Sequence, residues 1–74
     1  MKITVKLFAN FRQERFKVQE FDLTDGTTCG AVAAQLKITE EELGVIMVNG
    51  RHAALTQRLQ EGDSLSLLPL VGGG

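Results

Sequence analysis

A single apolar stripe of helical period runs through the sequence. Cys29, Val32, Ala33 and Leu36 fall at i, i+3, i+4 and i+7, the spacing that turns one helical face toward a core. The remaining apolar residues fall mainly in short, strand-like runs. A chain with one such stripe and several strands has a narrow choice of folds: the helix must lie across a sheet. Seventy-four residues leave room for one small core, and the lone cysteine, Cys29, leaves no intrachain disulfide to reinforce it.

Ile3, Val5 and Leu7 alternate with Lys2, Thr4 and Lys6, which predicts a half-buried strand over residues 2–8. Residues 9–15 read as a loop, and residues 16–23 as the second strand of an opening hairpin. Within that strand Phe16 and Val18 have one parity and Phe21 and Leu23 the other, so a bulge near Gln19 and Glu20 is expected. Asp25-Gly26 signals a turn, and Thr27 or Thr28 is placed to cap a helix over residues 28–37. Gly30 and the neighbouring alanines make that helix slim, suited to lying close against the sheet.

Thr39 and Glu42 have capping-box spacing, which predicts a second helical turn over residues 40–43, ended by Gly44. Residues 45–48 form a continuous apolar run, expected to be a strand buried on both faces that enters a tight hairpin at Asn49-Gly50. Residues 51–54 would return from it. Leu55 and Leu59 would pin an irregular connection to the core, Gly62-Asp63 would turn the chain, and residues 64–68 would form the last strand, closed by Pro69. This order gives an α+β layout, a mixed sheet with one main helix packed across it, which is that of the ubiquitin-like β-grasp. Residues 1–71 would form the domain and residues 72–74 a flexible glycine tail.

The composition narrows the chemistry. A net charge of −1 without a basic run argues against a nucleic-acid partner. No apolar stretch approaches the roughly 20 residues that cross a bilayer, and no secretory signal opens the chain. With one cysteine, a cytoplasmic protein with no membrane partner is expected. Catalytic constellations and metal-ligand pairs are missing, so no self-sufficient enzyme and no bound cofactor are expected. His52, the only histidine, reads as an exposed hairpin residue. Cys29 reads as a small buried side chain, because it lies on the apolar stripe. Glu40, Glu41 and Glu42 read as a solvated acidic turn.

The end of the sequence, Leu70-Val71-Gly72-Gly73-Gly74, offers a different chemistry. Four residues extend over roughly 13 Å, and glycine lacks the side chain that would bar a narrow channel. Such a strip would carry a carboxylate into another protein's pocket. A carboxylate is a poor acyl electrophile, but its adenylate has a good leaving group for attack by sulfur. The partner surface should surround the same end: if Leu65 and Leu67 turn inward, Leu68 points outward, near Leu70 and Phe8.

Four segments in order, Val5-Lys6-Leu7-Phe8-Ala9, Val48-Asn49-Gly50, Glu61-Gly62-Asp63 and terminal Gly73-Gly74, resemble the bacterial sulfur-carrier proteins of the β-grasp superfamily. These comprise the molybdopterin synthase small subunit and the thiamine-biosynthesis carrier. The resemblance covers essentially the whole chain. It implies that Gly74 is adenylated by a ubiquitin-activating-like enzyme, which uses ATP, and is converted to a thiocarboxylate, with Gly73 and Gly72 preceding it in the tail. It also implies a sulfur donor such as a cysteine desulfurase or rhodanese, and a downstream cofactor synthase of the molybdopterin or thiamine type. The same activated carboxylate would serve a ubiquitin-like modifier joined to lysines. An interaction module with an incidental tail is the third possibility.

Overall fold

The computed structural model describes residues 1–70. Within them, strands β1 (Lys2–Leu7), β2 (Val18–Asp22), β3 (Leu43–Val48), β4 (Arg51–His52) and β5 (Ser64–Pro69) form one sheet in the order β2-β1-β5-β3-β4, and a 3-10 helix over Ala9–Arg12 follows β1. Helix α1 (Cys29–Gln35) lies between β2 and β3 in the chain. The last strand is central, parallel to β1 and antiparallel to β3, so the α+β β-grasp layout expected from the sequence is the one observed.

Register follows the apolar alternation. Ile3, Val5 and Leu7 of β1 and Leu65 and Leu67 of β5 are wholly buried, with Val5 opposite Leu65 and Leu7 opposite Leu67. Cys29, Val32 and Ala33 of α1 close over the same core. Burying each large aliphatic side chain contributes roughly 1.5–3 kcal/mol.

The helix is shorter than its stripe. The Thr28 hydroxyl accepts from the Ala31 amide at 3.1 Å, satisfying one of the unpaired donors of the first turn. At the other end Lys37 adopts φ +62°, its amide donates to the Ala34 carbonyl and the Ile38 amide donates to the Ala33 carbonyl, each at 2.9 Å. This is a Schellman ending with lysine where glycine is usual, and buried Ile38 supplies its apolar contact. Arg15 braces the ending: Nε donates to the Leu36 carbonyl at 3.1 Å and a terminal nitrogen to the Phe11 carbonyl at 3.2 Å.

Several expectations are corrected. Strand β2 pairs regularly with β1 from Asp22 to Val18, without a bulge at Gln19 or Glu20. The parity conflict is resolved by leaving Val18 outward, 56% exposed, and by Phe16 standing before the strand, its ring 5.6 Å from that of Phe21. The loop after β1 contains the 3-10 helix and buries Phe11, which anchors it. Residues 40–42 form a non-helical turn, Gly44 lies inside β3, and β3 is only half-buried over Val45–Met47 because the sheet's outer face is uncovered. Gly30 makes its close approach to the connecting segment, its amide donating to the Leu55 carbonyl at 2.8 Å. The Asn49-Gly50 hairpin has positive φ at both residues, 53° and 81°, the twist a two-residue turn between right-twisted strands requires.

Candidate functional site

Residues opposite one another in a ladder share a face. Leu65 and Leu67 being inward, Ser66 faces outward with Lys6 and Met47, and Leu68 faces outward opposite Val45. Phe8 follows inward Leu7 with extended backbone, φ −127° and ψ 154°, so the alternation carries it to the outer side. Because β1 and β5 are parallel, Phe8 and Leu68 stand at the same end of neighbouring strands, where the 3-10 helix packs against β5. Phe8 and Leu68 are half-buried and Leu70 is 67% exposed. Gly72, Gly73 and Gly74, and the domain boundary expected after residue 71, lie outside the described residues.

A bulge in β3 determines how the chain leaves the sheet. Leu43 pairs with Pro69 and Val45 with Leu68, so Gly44 is an extra residue on its strand. This skip lets Leu43, Ile46 and Val48 all pack toward the core despite their mixed parity. A side chain on Gly44 would stand 2.7 Å from the Pro69 carbonyl oxygen and 2.8 Å from the Leu70 Cα. The close approach of two backbones is therefore what demands glycine here. Proline has no amide to give, and the next donor, Leu70 N–H, reaches the Glu42 carbonyl at 2.8 Å.

The Glu42 carbonyl is itself positioned by the capping box. Glu42 Oε1 accepts from the Thr39 amide at 3.0 Å and from its hydroxyl at 2.9 Å, and the Thr39 hydroxyl accepts from the Glu42 amide at 3.3 Å. The backbone bond to Thr39, then the hydroxyl bond, lowers the Glu42 carboxyl below its ordinary pKa. The sequence signal was correct in its hydrogen bonds, although no helix follows it.

The other candidates do not form a reactive centre. Cys29 is buried, and desolvation, with the Asp63 charge adding to it, raises its thiol above the ordinary value despite an opposing backbone hydrogen bond. His52 is exposed opposite Met47. Among the described residues no group of three or more metal-type ligands occurs, and no helix is long and apolar enough to cross a membrane. Asn49 and Asp63, at the opposite end of β5, serve the hairpin: Asn49 Oδ1 accepts from the Ser64 amide and Asn49 Nδ2 donates to the Asp63 carboxylate, both at 2.9 Å.

Sequence reading missed Gly44 and the Glu42 carbonyl as elements of this site. The available signal was the parity of Leu43 against Ile46 and Val48, hidden in a continuous apolar run.

A model of the ThiS family matches residues 5–74. No curated protein matches the chain significantly. Among solved structures, a protein described as molybdopterin converting factor subunit 1 from Pyrococcus furiosus is 29% identical, with 96% of this chain and 99% of that chain covered and a TM-score of 0.78. SAMP1 from Haloferax volcanii is 24% identical over the whole of both chains, with a TM-score of 0.76. A Helicobacter pylori complex of subunits 1 and 2 of molybdopterin-converting factor includes a chain 24% identical to this one over the whole of both, with a TM-score of 0.67. At that identity the last two establish a shared fold.

Two outcomes follow from this geometry. Gly44→Ala should destabilise the domain by about 1–3 kcal/mol, because backbone rather than a yielding side chain opposes the new methyl. Urea unfolding measures the loss, and faster exchange of the Leu70 amide should accompany it. In a carboxyl-detected NMR titration Glu42 should titrate below an ordinary glutamate, and Thr39→Val should move its midpoint upward. A depressed folded pKa stabilises above the unfolded value, so this turn's contribution should disappear as pH falls through the folded pKa.

Proposed function

The chain belongs to the ThiS family, and on that premise we propose that it is a sulfur carrier whose Gly74 carboxylate is the reacting group. The family match extending through Gly73 and Gly74 carries this reading. The exposed departure of the chain at Leu70, beside an uncovered apolar surface, supports it. The folded body supplies recognition and delivery, while a ubiquitin-activating-like enzyme supplies the activation chemistry.

In the proposed sequence a Gly74 carboxylate oxygen attacks the α-phosphate of ATP, releasing pyrophosphate and forming an acyl adenylate. The terminal sulfur of a partner's persulfide, charged by a cysteine desulfurase or rhodanese, then displaces AMP. A thiol cleaves the resulting acyl disulfide at its sulfur–sulfur bond, leaving a thiocarboxylate on Gly74 and the oxidised pair as a disulfide. A downstream cofactor synthase, of molybdopterin or thiamine type, takes the sulfur. The Pyrococcus likeness favours a molybdopterin-type acceptor. In this reading the protein works in the cytoplasm, with neither nucleic acid nor membrane as a partner.

Phe8, Leu68 and Leu70 form the docking surface in this reading, an apolar patch around the exit of β5. SAMP1 from Haloferax volcanii, described as small archaeal modifier protein 1, shares the fold, and that likeness motivates a second reading in which the activated Gly74 is joined to lysines.

Incubation with the adenylating enzyme, ATP and a persulfide donor should raise the intact mass by about 16 Da, as sulfur replaces oxygen on the acyl group; an unchanged mass refutes the carrier reading. Isopeptide-linked adducts in extracts, found by mass spectrometry, would support the modifier instead. Leu70→Asp should slow adenylation at least about tenfold while leaving the unfolding midpoint near that of the unaltered chain, since an exposed side chain contributes little to stability.

A further inference from the structure

Two arginines stand at the end of the 3-10 helix and just beyond it, and their hydrogen bonds separate their roles. Arg15 spends its guanidinium on the chain itself, on the carbonyls of Leu36 and Phe11. Arg12 does not. Its Nε donates to the Leu7 carbonyl at 2.6 Å and its guanidinium carbon lies 5.3 Å from the centre of the Phe8 ring. Its terminal nitrogens have no acceptor among the described residues, and the side chain is exposed.

Nor do the described residues place a carboxylate against it. Among the described residues the ion pairs within 4.0 Å are those of the Met1 ammonium with Asp22 and Asp25. The nearest cation along the outer face of β1, Lys6, stands between Val18 and Ser66. Among the described residues Arg12 is thus a fixed positive charge without a partner, with a free bidentate edge, resting on the aromatic ring of the apolar patch at the exit of β5.

We propose that Arg12 is the charge anchor of the docking surface and receives a carboxylate side chain of the adenylating partner, which seats its own apolar surface over Phe8 and Leu68. This inference rests on the carrier reading. The Nε bond and the ring hold the guanidinium in place, so little rotamer freedom remains to be lost on binding. The edge left open matches the two oxygens of a carboxylate. Arginine beside an aromatic residue is also the combination in which interface energy concentrates. Lysine would not reproduce it, having a point charge and no planar fork.

The test is the dissociation constant between the full chain and its purified adenylating enzyme, measured at about 50 and 300 mM salt to vary charge screening. Arg12→Ala should weaken binding at least about tenfold at low salt and flatten its salt dependence, whereas Arg12→Lys, which keeps the charge and loses the fork, should weaken binding while retaining most of the salt dependence. Arg58→Ala, which removes an exposed charge from the segment preceding the opposite end of β5, should do neither. Amide NMR spectra establish that each variant keeps the fold. Arg12→Ala binding with the affinity and salt slope of the unaltered chain overturns the anchor while leaving the carrier reading intact. Failure of the unaltered chain to bind the enzyme at all overturns both.

Discussion

Central placement of the last strand governs the architecture. β5 pairs on one side with the first strand of the chain and on the other with β3, so folding must close the chain's ends on each other before the core exists. Such long-range pairing is entropically costly to form. It is offset here by a strand whose inward side chains, Leu65 and Leu67, are completely buried. The arrangement also has a mechanical consequence. A chain emerging from the middle of a sheet is held by neighbours on both sides up to its last paired residue, whereas an edge strand would peel away more easily.

Much of this was legible from residue spacing, and the failures share a cause. β1, the Thr28 cap, the Asn49-Gly50 turn and the burial of Leu65 and Leu67 are local signals with one physical solution each. Bulge placement was different. Parity conflicts occur both in residues 16–23 and between Leu43 and Ile46, and sequence cannot say which will be resolved by an inserted residue. The first is resolved by exposing Val18 on a sheet edge, where solvation is available. The second flanks the central strand, where Leu43, Ile46 and Val48 all have core to reach, and there the extra residue appears. The Lys37 helix ending escaped notice because glycine is the usual marker of a left-handed residue.

The candidate site was legible in its side chains more than in its backbone. Leu68, Leu70 and Phe8 follow from alternation alone. The elements that hold the exit, the Glu42 carbonyl and the Gly44 bulge, act through main-chain atoms and depend on which strand β5 meets. Arg12 is a third kind of case, because its significance comes from a ring and a carbonyl that the 3-10 helix brings to it, and the spacing of residues 9–15 predicts only a loop.

The hydrogen bonds near the exit form a chain of dependence. Thr39 fixes the Glu42 side chain, their shared turn positions the Glu42 carbonyl, and that carbonyl receives the Leu70 amide immediately after a proline that cannot donate. The Gly44 bulge lets the two backbones approach closely enough for this to occur. A carrier of the proposed kind needs such a fixed point. If the body is to act as a handle, the distance between the docked surface and the reacting carboxylate must be set by a few residues of chain, and every paired residue that came loose would lengthen that tether. Effective concentration falls as a tether grows beyond the span it must cover. On the carrier reading, fastening the chain through Leu70, beside Phe8 and Leu68, therefore joins the proposed docking surface and the start of the tether in one folded unit.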